Sequence, residues 1–117
     1  FTLVAEEAAR RFARLEGIGA WVHEAHHSAK KDAPSGTALM LQRAMQQAGY
    51  ARAIDMSSTR AGYFPGTHEG GFDGPAETVS LTHTVRDRAV FAHGALEAAR
   101  WLRGRRGWLS MRDMITG

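Results

Sequence analysis

Cysteine is missing from the 117 residues, which excludes disulfides, a thiol nucleophile and cysteine-ligated zinc. No apolar run approaches the roughly 20 residues of a membrane helix, and no secretory leader opens the chain, a pattern compatible with a cytoplasmic protein that meets no membrane. A dinucleotide glycine turn is also lacking. Gly17-x-Gly19 precedes a strand-like run instead of following one, and Val22 stands where the third glycine would fall. Any cofactor-binding domain is therefore expected outside these residues. Internal repeats and low-complexity segments are absent. Lysine is nearly so: the chain has thirteen Arg and two Lys, and both Lys are adjacent, at Lys30 and Lys31.

The two lysines fall in Glu24-Ala25-His26-His27-Ser28-Ala29-Lys30-Lys31-Asp32-Ala33-Pro34-Ser35-Gly36-Thr37-Ala38. An arginine would match their charge with more hydrogen bonds, yet only lysine can release a proton inside a protein. Acid–base chemistry, more than charge alone, is the reading of that choice. Ser35 is a good helix cap, and Gly36 lets a ligand approach the free N–H groups of a helix start, a seat for a carboxylate to which Thr37 adds a hydroxyl. His27 and Lys30 would neutralise a second anionic group, and His26, titrating near neutrality, is suited to moving protons. The implied ligand is small, dianionic and protonated during turnover.

At this size and with 44% hydrophobic residues, one compact domain spanning 1–117 is expected. Phe1, Val4, Ala5, Ala8, Phe12 and Leu15 recur at helical spacing and predict a first helix to about Glu16. Phe1 already lies in that periodic stretch with no cap before it, so the chain reads as a piece of a longer protein. A strand over 20–26 should lead into the motif, and a second helix from Ser35 should end near Gly49 with Ala38, Leu39, Leu41, Met45 and Ala48 inward. Residues 54–74 read as strand and loop, with Arg60 and His68 as polar groups able to face the motif. Val79, Leu81, His83 and Val85 alternate with Ser80, Thr82 and Thr84, which predicts a strand antiparallel to 66–73. Asp87 should cap a third helix carrying Val90, Phe91, Ala95, Ala98, Ala99 and Leu102, closed by Gly104 or Gly107. His83 and His93 read as core or interface histidines. No partner element is evident for 108–117. The fold class is α+β: a small mixed or antiparallel sheet of about four strands, helices on one face, and the other face used for oligomerisation.

Three other readings suit the sequence less well. His23-Glu24-Ala25-His26-His27 spells the zinc-peptidase pattern H-E-x-x-H, but on a strand His23 and His27 lie about 13 Å apart, too far to share an ion. Lys30 also occupies the glycine position of the longer version of that motif. The Arg103-Gly104-Arg105-Arg106 tract is short for a nucleic-acid surface and suits a helix C-terminus, where cations complement the dipole. A surface loop with incidental histidines would leave Lys30, the Asp32-Ala33-Pro34 turn and the Ser-Gly-Thr opening unexplained together.

The long motif E-A-H-H-x-x-K-x-D-A-P-S-G-T-A resembles the signature of the 4-hydroxy-tetrahydrodipicolinate reductase family. Arg60-Ala61-Gly62, Pro65-Gly66-Thr67-His68, Thr82-His83, Phe91-Ala92-x-Gly94-Ala95 with Trp101, and Met111-Arg112-Asp113 resemble its C-terminal half. The resemblance implies a homotetrameric enzyme of lysine and diaminopimelate biosynthesis, with NADH or NADPH held by an N-terminal Rossmann domain that has no counterpart in these residues. It implies His26 as acid/base residue, Lys30 as proton donor, and His27, Gly36 and Thr37 as substrate ligands, with Ser35 and Arg60 added from their place at the motif. Pyridine-2,6-dicarboxylate is a planar analogue of the implied substrate. The competing class is a non-catalytic dicarboxylate-binding or assembly module that keeps the pocket.

Overall fold

The computed structural model describes all residues from Phe1 to Gly117, which gather into two compact units, Phe1–Arg86 and Asp87–Gly117. In the first unit the order is α1 (Thr2–Phe12), β1 (Gly19–His26), α2 (Gly36–Gln47), β2 (Ile54–Arg60), β3 (Thr67–Asp73) and β4 (Thr78–Thr84). The second holds α3 (Ala89–Trp101) and α4 (Met111–Thr116). The class is α+β, with one open sheet of strand order β2-β1-β3-β4.

The first two strands are parallel and joined through α2, whereas β3 pairs antiparallel with both β1 and β4. The pleat sends Ala20, Val22, Glu24 and His26 to one face of β1 and Trp21, His23 and Ala25 to the other. Ala20 and Val22 join Ala5 and Ala9 of α1, Ala38, Leu41 and Met45 of α2, and Tyr50, Ile54 and Phe72 in one buried cluster. Small alanines let both helices lie close to the sheet, and Phe12 stacks on Phe72 with ring centres 4.7 Å apart. At the far end of the same face the apolar residues give way to Glu24, His26, His68 and Arg60. There the motif lies.

The first helix is shorter than its apolar spacing predicts, ending at Phe12 instead of near Glu16. Arg52 supplies the reason: its guanidinium donates to the carbonyls of Phe12, Ala13, Leu15 and Ile18, the outermost at 3.3 Å and the nearest at 2.9 Å. Carbonyls beyond the last helical turn are gathered by this one side chain, in addition to the turn hydrogen bonds that Phe12 and Leu15 accept, and its guanidinium also lies over the Tyr50 ring. The inward stripe shifts accordingly. Ala9 is fully buried, while Val4 and Leu15 are more than half exposed.

The second helix starts where its sequence predicts, with Ser35 Oγ accepting from the Ala38 N–H at 3.1 Å. The β3–β4 hairpin also matches expectation, with Phe72 opposite Val79 and His68 opposite His83. The third helix begins at Ala89 with Arg88 in the cap position, and Asp87 reaches past it to accept from the Ala89 N–H at 2.8 Å. Gly104 and Gly107 have the positive φ angles, 74° and 107°, expected beyond that helix. The tail, without an expected partner element, forms α4. Ser110 and Asp113 close a reciprocal capping box on it, a Ser-x-x-Asp signal present in the sequence and not used there.

Candidate functional site

The site is built on the end of β1. Glu24 is completely buried: Arg60 donates to its Oε2 at 2.9 Å and to Oε1 at 2.7 Å, the Ser35 N–H donates to Oε1 at 3.0 Å, and His26 Nδ1 lies 2.5 Å from Oε2. Burial by itself would push this carboxyl up, but hydrogen bonds from Arg60, His26, Ser58 and the Ser35 backbone outweigh it and hold the pKa down at about 2. Glu24 is therefore ionised throughout the neutral range. Register explains the assembly: His26 pairs with Arg60 across β1–β2, and Glu24 pairs with His68 across β1–β3.

His68 extends the network to α2, its Nε2 lying 2.8 Å from Ser35 Oγ and its ring meeting His26 edge-on at 5.2 Å. Burial, then the nearby His26, lowers its pKa, so it is neutral at pH 7. Arg60 also donates to the Asp32 carbonyl at 2.6 Å, and Asp32 Oδ1 lies 2.8 Å from Lys30 Nζ. That ammonium is the main cause holding the Asp32 carboxyl below its usual value. Lys30, Asp32, Arg60, Glu24, His26, Ser35 and His68 thus form one connected polar chain drawn from three strands and the motif loop, which ends at the Ser35 cap of α2.

Two of the expected residues sit differently from an open ligand contact. Ser35 is buried and bonds inward to Ala38 and His68, while the Arg60 donors go to Glu24 and to the Asp32 and Thr59 carbonyls. The accessible groups are Gly36 and Thr37, exposed in the first turn of α2, and the part-exposed His27 and Lys30. His27 is positioned by its backbone, its N–H donating to the Phe64 carbonyl at 2.9 Å. Across from His26, Gly66 has a φ of 152°, and a Cβ there would stand 3.2 Å from His26 Nε2. Arg60 and His68 do face the motif. His83 is part-buried and stacks on Phe1 at 5.7 Å, whereas His93 is exposed on α3.

Glu24, which the sequence reading names only as a letter of the zinc pattern and of the long motif, is the centre of this network. β1 places His23 on the opposite face, with its Nδ1 2.7 Å from Ser57 Oγ, so His23 and Glu24 cannot serve one ion. Glu24, His26 and His68 do bring ligand-type atoms within 4.8 Å of one another. Both Glu24 oxygens, however, already face the Arg60 guanidinium, and a fixed positive charge there opposes a cation. The donor set fits a hydrogen-bond network.

Fold and site together define an α+β domain that presents imidazole and ammonium groups beside a helix N-terminus. The chain belongs to the family described as dihydrodipicolinate reductase, C-terminus, which matches residues 1–115. A 4-hydroxy-tetrahydrodipicolinate reductase of Rhodopseudomonas palustris (strain BisA53) is 42% identical, the match covering 79% of this chain and 41% of that protein. One of Stenotrophomonas maltophilia (strain K279a) is 43% identical, covering 96% of this chain and 47% of that protein. The chain therefore spans less than half the length of these curated relatives. The dipicolinate-bound dihydrodipicolinate reductase from Paenisporosarcina sp. TG-14 shares the fold at a TM-score of 0.68 and 20% identity, over 81% of this chain and 43% of its own.

Proposed function

We propose that this chain is the substrate-binding domain of a 4-hydroxy-tetrahydrodipicolinate reductase, serving NADH- or NADPH-dependent reduction in lysine biosynthesis by the diaminopimelate route. The observation that carries the reading is the connected chain from Lys30 to His26 beside the first turn of α2. It supplies an ammonium, an imidazole and free helix N–H groups within one strand–loop–helix unit. The dipicolinate named with the similar solved structure is a planar dicarboxylate, the ligand chemistry such a unit suits.

In this reading one substrate carboxylate rests on the N–H groups of Gly36 and Thr37 and on the Thr37 hydroxyl, where the helix dipole favours an anion. The other carboxylate is met by His27 and Lys30. His26 acts as the acid/base residue and Lys30 delivers the proton that completes reduction. Ser35 and Arg60 hold these groups in place from behind. The nicotinamide cofactor supplies hydride when bound. The residues here do not fit a seat for it, because the connection from β1 to α2, residues 27–35, is long and holds no glycine turn. The reading assigns NADH or NADPH to a Rossmann domain beyond these 117 residues, and it assigns no nucleic acid or membrane as partner. No helix is long and apolar enough to cross a membrane.

Calorimetric titration of pyridine-2,6-dicarboxylate into chelator-treated protein tests the proposal. Saturable binding lost in Lys30→Ala is the expected result. Absence of binding by the wild-type chain would favour the assembly module.

A further inference from the structure

We propose that Glu24 is a positioning residue of this site: its carboxylate, clamped by Arg60, fixes His26 with the proton on Nδ1 and leaves Nε2, beside Gly66, to exchange a proton with the ligand. The ligand half of this statement rests on the function proposed above; the tautomer half does not.

The argument begins with what a carboxylate can do. An ionised Glu24 only accepts hydrogen bonds, so the 2.5 Å contact with His26 Nδ1 requires that nitrogen to donate. A buried carboxyl beside an imidazole could instead take the proton for itself. Arg60 prevents this by placing two N–H groups on the two oxygens, and the Ser35 N–H adds a third donor. Hydrogen bonds of this kind favour the ionised form.

Other groups around the ring do not compete for the role. His68, from β3, meets His26 edge-on with its Nε2 occupied by Ser35 Oγ. His83 of β4 lies farther along the same face, opposite His68 in register. Lys30 and Asp32, from the motif loop, are paired with each other. With Nδ1 committed to Glu24, Nε2 is the ring nitrogen of His26 left to meet a ligand. Gly66 keeps its surroundings clear, since a Cβ there would sit 3.2 Å from that nitrogen. A neutral His26 therefore offers a lone pair at Nε2, and a protonated one an N–H.

Long-range nitrogen–proton correlation spectra of the histidine-labelled chain read this tautomer without reference to activity. The wild-type spectrum should show the Nδ1–H form of neutral His26 in excess by about tenfold or more, the ratio a charged hydrogen bond sustains. Glu24→Gln, whose amide can donate or accept, should bring that ratio toward one. Arg60→Lys, which keeps the carboxylate and a counter-charge, should preserve it. Should Glu24→Gln fail to fold, Glu24→Gln with Arg60→Met removes the buried pair as a unit, a change proteins tolerate.

An Nε2–H tautomer in the wild type would overturn the assignment. So would a wild-type ratio in a folded variant lacking the carboxylate. Adding pyridine-2,6-dicarboxylate should move the Nε2 resonance of His26. Saturable calorimetric binding without that movement would refute the role of Nε2 while leaving dicarboxylate binding intact. No binding, with the expected tautomer ratios, would sink the functional reading and leave the positioning of His26 standing.

Discussion

Lys30 and Arg60 show how two cations of equal charge are used differently within one site. Arg60 is inside, with its planar fork on Glu24 and one further donor on the Asp32 carbonyl, a geometry that a lysine cannot reproduce. Lys30 is at the edge, part-exposed and paired with Asp32, and the proposed function gives its flexible ammonium the part of proton donor. On the proposed function, Lys30→Arg in the full-length protein should keep dicarboxylate affinity but reduce turnover by about 10²-fold or more, as loss of a proton donor does. Steady-state kinetics with a binding titration check this, and retained turnover would remove Lys30 from the donor role. Glu24 and His68 make the fold acid-sensitive in two stages. His68 has a lowered pKa when folded, so the unfolded chain takes up its proton first, and stability begins to fall as pH drops below about 6.5. Glu24 adds stability that is complete above 4.5 and is lost as pH falls toward about 2, on the order of 3 kcal/mol in all. Thermal melts between pH 7 and 2 should therefore fall in both windows. In the doubly neutral Glu24→Gln, Arg60→Met variant the lower step should disappear, and its persistence would show that other carboxyls dominate.

Single side chains fix two of the helix ends, one from the adjoining residue and one from a distant part of the chain. Ser35 caps α2 and also holds His68, so Ser35→Ala removes the cap and leaves a buried imidazole without its partner. A loss of about 1–3 kcal/mol is expected by denaturant titration, the range for a cap together with an orphaned polar group. Ser35→Thr keeps the hydroxyl and should recover most of it. At the end of α1, Arg52 gathers four carbonyls from the turn that follows the helix. Apolar spacing in 1–16 describes a longer helix because it reports which face could be buried, and it carries no information about a guanidinium from residue 52. The strand–loop–helix unit around the motif was legible for the opposite reason. Alternation in β1 and the Ser35 cap are local signals, and β1 and α2 follow them.

The open face of the sheet is the feature that bears on assembly. One face is covered by α1 and α2, and the other carries His23, Ser57, Thr59, Thr67, Glu69, Ser80, Thr82 and Thr84, with Trp21 lying over Gly71. Hydroxyls dominate it, so burial of apolar area is a weak drive for association there. Cross-strand hydroxyl pairs, such as Thr67 with Thr84, would suit a wet interface better than a dry one. In the second unit α3 buries none of its residues, and Phe91 and Leu96 stand well exposed. We propose that the homotetramer implied by the family resemblance uses the open sheet face. Light scattering should give a mass near four times the 12.8 kDa of the chain, and a monomer at high concentration would count against the proposal.

Sequence by itself determined the elements of the motif and its chemistry: a strand, a loop carrying the only lysines, and a capped helix, all set by signals within a few residues of one another. It also carried the family. Tertiary structure decided what Glu24 is. Its neighbours in sequence spell a zinc motif, but the pleat turns His23 away, and strand register brings Arg60 and His68 to it from 36 and 44 positions along the chain. A carboxylate's role follows from the donors packed around it, and those donors come together only when β1, β2 and β3 pair.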